Sequence, residues 1–93
     1  MSQAPVVRRM QIVNIKGLHA RASAKLAEVV EQYDAHATVS RDGMSTGGDS
    51  IMGLLMLAAS KGSFIEVSAS GPQAMELADA IEALVADKFG EGN

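Results

Sequence analysis

The stretch VNIKGLHARASAKL, residues 13–26, holds the residues best suited to chemistry: Gly17, His19 and Arg21. An imidazole precedes a guanidinium by two positions, at the point where a helical pattern begins near Ala20. The first backbone N–H groups of a helix have no intrahelical partner, and the helix dipole makes that end positive. Such an end binds anions with backbone alone. Gly17, Ala20 and Arg21 are therefore the expected phosphate-stabilising positions. Arg21 adds a permanent charge whose planar fork suits phosphate oxygens, and Gly17 lets the chain turn tightly and leave the ring accessible. A neutral imidazole is a nucleophile, and the positive helix end works against the imidazolium form. The expectation is that His19 accepts a phosphoryl group that its surroundings then stabilise. A helix cap or a plain surface residue is the competing reading of one histidine at a helix start. His36 falls on a strand pattern without such neighbours and reads as structural or solvent-exposed. Two histidines and no cysteine make a metal site unexpected.

The elements that must position these groups follow from apolar spacing. From 6 to 13, Val6, Met10 and Ile12 share one parity, with Arg8 breaking the row, which predicts a strand. Ala22, Leu26, Val29, Val30 and Tyr33 step by three and four, a helical stripe that leaves Lys25, Glu28 and Glu31 to solvent. Ala37 and Val39 alternate with Thr38 and Ser40 on a strand over 35–41. Asp42-Gly43 then reads as a tight hairpin turn into a return strand over 44–47. A short helix over 51–59 has its N-cap in Asp49-Ser50 and its end marked by Gly62. Ile65, Val67 and Ala69 alternate with Glu66 and Ser68 on another strand. Gly71-Pro72 introduces a helix to about Phe89, with Ala74, Leu77, Ala78, Ile81, Leu84 and Val85 on its apolar face and Gly90 just past its end. The order β-α-β-β-α-β-α, with one hairpin, predicts an α+β fold: an antiparallel sheet covered on one face by helices.

Composition bounds the rest. The 93 residues suffice for one domain, 1–93, with its core over about 6–89. Apolar residues make up 47% of the chain, but with two Phe, one Tyr and no Trp the core must be aliphatic. Residues 1–5 read as a frayed start, and the N-terminus has no apolar run of the signal-peptide kind. Absent cysteines fit a reducing compartment, so a cytoplasmic location is expected. A net charge of −3 argues against nucleic acid as a partner, and no apolar run approaches the roughly 20 residues that span a bilayer. No Gly-x-x-x-x-Gly-Lys nucleotide loop is present, and no cofactor is expected.

Two motifs in register, GLHARAS at 17–23 and DSIMGLLML at 49–57, resemble the HPr family, the histidine-containing phosphocarriers of the bacterial phosphoenolpyruvate-dependent phosphotransferase system. The resemblance spans about residues 6–89. It implies an open-faced β-sandwich: a four-stranded antiparallel sheet with three helices on one face. It further implies that His19 accepts phosphate on Nδ1 from phosphorylated enzyme I and passes it to an enzyme IIA-type acceptor. Arg21 matches the family's arginine that pairs with the phosphoryl oxygens. Ser50 matches the serine that an HPr serine kinase phosphorylates in many members. The chain departs from many members in having Ala22 where they carry Pro, which leaves a sugar-uptake branch and a regulatory, nitrogen-related branch both open.

Ser50 also reads simply as a helix N-cap. Six apolar residues, Ile51, Met52, Leu54, Leu55, Met56 and Leu57, exceed what a short helix must bury. The excess, with Leu18, Ile51, Met52 and Leu55 as the expected docking residues, predicts an exposed apolar patch around His19. Lys16 and Lys25 supply a basic rim suited to acidic partner surfaces. The whole reads as a monomeric carrier that is both substrate and product of its partners rather than a turnover enzyme. The alternative is a binding module whose phosphorylation state is read without onward transfer.

Overall fold

The structure, a computed structural model, describes residues 4–92, so the first three of the residues expected to fray and the last of the 1–93 domain lie outside the described residues. Strand β1 spans Val6–Gln11, helix α1 Ala20–Glu31, β2 His36–Arg41, β3 Met44–Gly47, α2 Ile51–Met56, β4 Phe64–Ser70 and α3 Ala74–Ala86, followed by a 3-10 turn at Lys88–Gly90. The strands form one antiparallel sheet in the order β1-β4-β2-β3.

Alternation makes this sheet one-sided. Met10 pairs with Ile65, and Val67 stands between Arg8 on one side and Val39 on the other. Met10, Ile65, Val67, Ala69, Ala37 and Val39 are buried, while Arg9, Glu66 and Thr38 point to solvent. The three helices cover the apolar face, and the core is completed by Ile12, Leu26, Leu54, Leu57, Leu77, Ile81 and Phe89. Each such aliphatic or aromatic side chain contributes about 1.5–3 kcal/mol when fully buried. Arg8 interrupts the apolar parity of β1 because it reaches across to α3, where its Nη1 donates to Asp79 at 2.5 Å and Glu82 at 2.8 Å. The β2–β3 turn is as the dipeptide predicts, with φ of +50° at Asp42 and +81° at Gly43.

Some boundaries differ from the spacing. β1 stops at Gln11 and β2 begins at His36. α2 ends at Met56, three residues short of the expected Ala59, because Ala58 turns into the left-handed region with φ of +53°. Pro72 lies outside α3, whose N-cap is Gln73. That helix stops at Ala86 because Lys88 and Phe89 take φ of +57° and +55°, which drives the Phe89 ring into the core. No helix among the described residues is long and apolar enough to cross a membrane.

The link from β1 to α1 is pinned to the segment that follows α2. Ile12 N–H donates to Ser63 O at 2.9 Å, Gly62 N–H to Ile12 O at 2.7 Å, and Leu18 N–H to Ala59 O at 2.8 Å. These three bonds set where α1 begins.

Candidate active site

His19 is the N-cap of α1, with extended backbone at φ −78° and ψ −177° and no capping bond from its own side chain. Its carbonyl accepts the first helical bond, from Ser23 N–H at 2.8 Å. The imidazole is thus not consumed in capping, and the first-turn N–H groups of α1 carry no side-chain cap. Gly17 makes this entry geometry attainable in two ways. Its φ of +67° suits glycine, and a Cβ there would stand 2.5 Å from Ala59 O and 2.9 Å from Ser60 Cα.

Lys16, His19, Ala20, Arg21, Lys25, Gly90 and Glu91 line one open cleft of about 500 Å³. Arg21 is exposed in it and has no ion pair among the described residues, so its guanidinium is available to an incoming anion. The cleft also holds both lysines of the expected basic rim. Lys25 additionally donates from Nζ to Phe89 O at 2.6 Å, tying the segment after α3 to α1.

That segment brings a residue the sequence reading did not include. Glu91 accepts from Asn14 Nδ2 at Oε1, 2.9 Å away, and its Oε2 bonds His19 Nε2. Asn14 is fully buried and also donates to Gly17 O at 2.8 Å. The Glu91 carboxyl is held below its ordinary range, first by the Asn14 hydrogen bond and next by that to His19, with the Lys16 charge assisting and desolvation opposing. Seventy-two positions separate His19 from Glu91, beyond the reach of any periodicity. The available signal was the anchor itself: an apolar Phe89 followed by Gly90 after polar Asp87 and Lys88.

The docking residues divide. Ile51 and Met52 are exposed, at 43% and 70%, and Leu55 is half-buried, while Leu54 and Leu57 are core. Leu18 is a correction: it is 4% exposed and belongs to the core. Its N–H on Ala59 O and its carbonyl, which accepts from Ser23 Oγ at 3.2 Å, hold it inward. Ile15 and Met56, at 61% and 65% exposed, are apolar surface residues outside the expected docking set. Ser50 is exposed and caps α2, its Oγ accepting from Gly53 N–H at 3.0 Å.

An imidazole at an uncapped helix start, an arginine beside it with no ion pair among the described residues and a one-sided four-stranded sheet fit the histidine phosphocarrier class. The family model of the PTS HPr component phosphorylation site matches residues 6–87, and the chain belongs to the HPr family. It is 45% identical over 85 residues to phosphocarrier protein HPr of Cupriavidus necator, covering 91% of this chain and 96% of that protein. It is 39% identical over 87 residues to phosphocarrier protein NPr of Klebsiella oxytoca, covering 92% and 97%. The crystal structure of HPr from Thermoanaerobacter tengcongensis superposes with a TM-score of 0.88 at 31% identity, covering 92% of this chain and 97% of that one. A phosphocarrier role in the phosphotransferase system follows from this membership.

Proposed function

We propose that His19 is the carrier residue, accepting a phosphoryl group on Nδ1 from phosphorylated enzyme I and donating it to an enzyme IIA-type acceptor. The observation that carries this reading is the His19 N-cap: an imidazole that makes no capping bond, beside the uncapped first turn of α1 and an Arg21 with no ion pair among the described residues, in one cleft. A transferred phosphoryl group meets the backbone N–H groups, the helix dipole and a bidentate guanidinium together. Lys16 and Lys25 give the cleft a positive rim that suits acidic partner surfaces. Exposed Ile51 and Met52 with half-buried Leu55 supply the docking face, and Met adapts to more than one partner. The protein works as a monomer in the cytoplasm and makes transient complexes, because a carrier must release each partner.

Ser50 is the regulatory position in this reading. A phosphate there meets the helix dipole favourably while adding about −1.5 to −2 charge beside Ile51 and Met52, which opposes acidic partners.

Intact-protein mass spectrometry after incubation with phosphoenolpyruvate and enzyme I tests the carrier assignment. One added phosphoryl group is expected, acid-labile and absent from His19→Ala. Failure of the folded wild type to acquire it overturns the assignment. Acquisition without passage to any IIA-type acceptor favours the binding module instead.

A further inference from the structure

Asn14, Glu91 and His19 form a hydrogen-bonded chain in which the direction of each bond is fixed. Asn14 is fully buried, and its amide nitrogen donates to Gly17 O and Glu91 Oε1. Glu91, only 11% exposed at its side chain, is kept in place by more than this bond. Phe89, two residues before it, is buried in the core and has its carbonyl held by Lys25. A carboxylate has no proton to give, so the bond to the imidazole runs one way: His19 Nε2–H donates to Glu91 Oε2. In the neutral ring the proton then sits on Nε2, and the lone pair of Nδ1 is the free nucleophile.

We propose that Glu91 is a positioning residue for phosphoryl transfer: anchored by Asn14, it holds His19 as the Nε2–H tautomer and then balances the positive ring of the phosphorylated state. This inference rests on the reading of His19 as the carrier site. In the forward step the Nδ1 lone pair forms the N–P bond while the donor's bond to phosphorus breaks, its electron pair leaving with the donor atom. The Nε2 proton does not move, so the product ring is an N-phosphoimidazolium with one positive charge facing the Glu91 carboxylate. In the onward step an acceptor nucleophile attacks phosphorus, the P–Nδ1 pair returns to Nδ1, and the neutral Nε2–H ring is regenerated. No proton has to enter or leave the ring in either direction. Without Glu91 the ring has no fixed tautomer, and the positive charge of the intermediate has no fixed partner.

The test uses the full-length protein with 15N-labelled histidine as wild type, Glu91→Gln, Glu91→Ala and Glu91→Asp, folding being checked from the backbone amide spectrum. Above the pH at which the ring is neutral, wild-type His19 should show one protonated and one unprotonated nitrogen. In Glu91→Ala the two nitrogen resonances should move toward each other as the second tautomer populates, and Glu91→Asp should retain part of the wild-type separation. Phosphoryl transfer from enzyme I should slow about tenfold or more in Glu91→Gln. Nitrogen resonances unchanged from wild type in folded Glu91→Ala overturn the proposal. A tautomer shift in Glu91→Ala beside a wild type that accepts no phosphoryl group leaves Glu91 orienting the ring and instead removes the carrier reading.

Discussion

Gly17 lies so close to Ala59 that an added Cβ would stand 2.5 Å from the Ala59 carbonyl oxygen. The neighbouring peptide makes this approach, since Leu18 N–H donates to that same oxygen. The obstacle is backbone on both sides, and Gly17 also sits at φ +67°. Gly17→Ala is therefore expected to cost about 2 kcal/mol or more, strain at a left-handed residue adding to the clash. Urea unfolding followed by circular dichroism measures it. Because the same contact sets where α1 begins, phosphoryl acceptance by the folded fraction should fall as well. An unchanged midpoint would show that the loop can move off Ala59 freely.

Arg21 separates recognition from stability. Its side chain is exposed and makes no ion pair among the described residues, so Arg21→Ala should leave the unfolding midpoint within experimental scatter. A hydrogen bond to a charged group contributes about 1.5–3 kcal/mol, which corresponds to a loss of roughly ten- to hundredfold in the rate of phosphoryl acceptance. Arg21→Lys should recover only part of that loss, since an ammonium lacks the planar fork. Stopped-flow transfer from phosphorylated enzyme I gives the number, and equal rates for all three proteins would remove Arg21 from the mechanism.

Glu91 gives the fold an acid-sensitive contact of predictable sign. Its folded-state titration lies below the ordinary value of 4.5, chiefly because Asn14 donates to it. A depressed carboxyl stabilises the fold at pH above the unfolded value, and that contribution is lost as pH falls through the folded value. Between pH 7 and about 5 the wild type should thus show no loss from this group, and below about 4.5 a progressive one. Denaturant titrations across pH 3–7 on wild type and Glu91→Gln test this. The stability difference between the two should shrink on acidification. A difference that stays constant to pH 3 would mean that Glu91 has the same affinity for protons in both states.

What the sequence discloses here is what local physics determines. Asp42-Gly43 specifies a turn with two positive φ angles, and the structure has them. The alternation of Ile65, Val67 and Ala69 specifies a half-buried strand, and all three are buried. The stripe from Ala22 to Val30 specifies the inward face of α1, and Ala22, Leu26 and Val30 are buried. Long-range contacts are where reading fails. Leu18 carries no periodic signal in the link between β1 and α1, and its burial depends on the contact with Ala59. Ala58 gives no hint of left-handed backbone, so the early end of α2 was not legible. Asn14 and Glu91 meet only because Phe89 is drawn into a core assembled by the whole fold.

The two faces of α2 should respond to substitution in opposite ways. Leu54 is fully buried and Met52 is 70% exposed, although they stand two positions apart on one six-residue helix. Leu54→Ala removes packed core and should destabilise by about 2–5 kcal/mol. Met52→Ala removes little packing and should stay within about 0.5 kcal/mol of wild type. If Met52 and Ile51 meet the partners, the order reverses for binding. Met52→Asp should then weaken association with enzyme I about tenfold or more, as an unpaired charge is placed against an apolar contact, while folded Leu54→Ala binds nearly normally. Calorimetric titration with enzyme I gives both affinities, and unfolding curves give both stabilities. Undiminished binding by Met52→Asp would move the docking face elsewhere, with Ile15 and Met56, both exposed, as the next residues to charge.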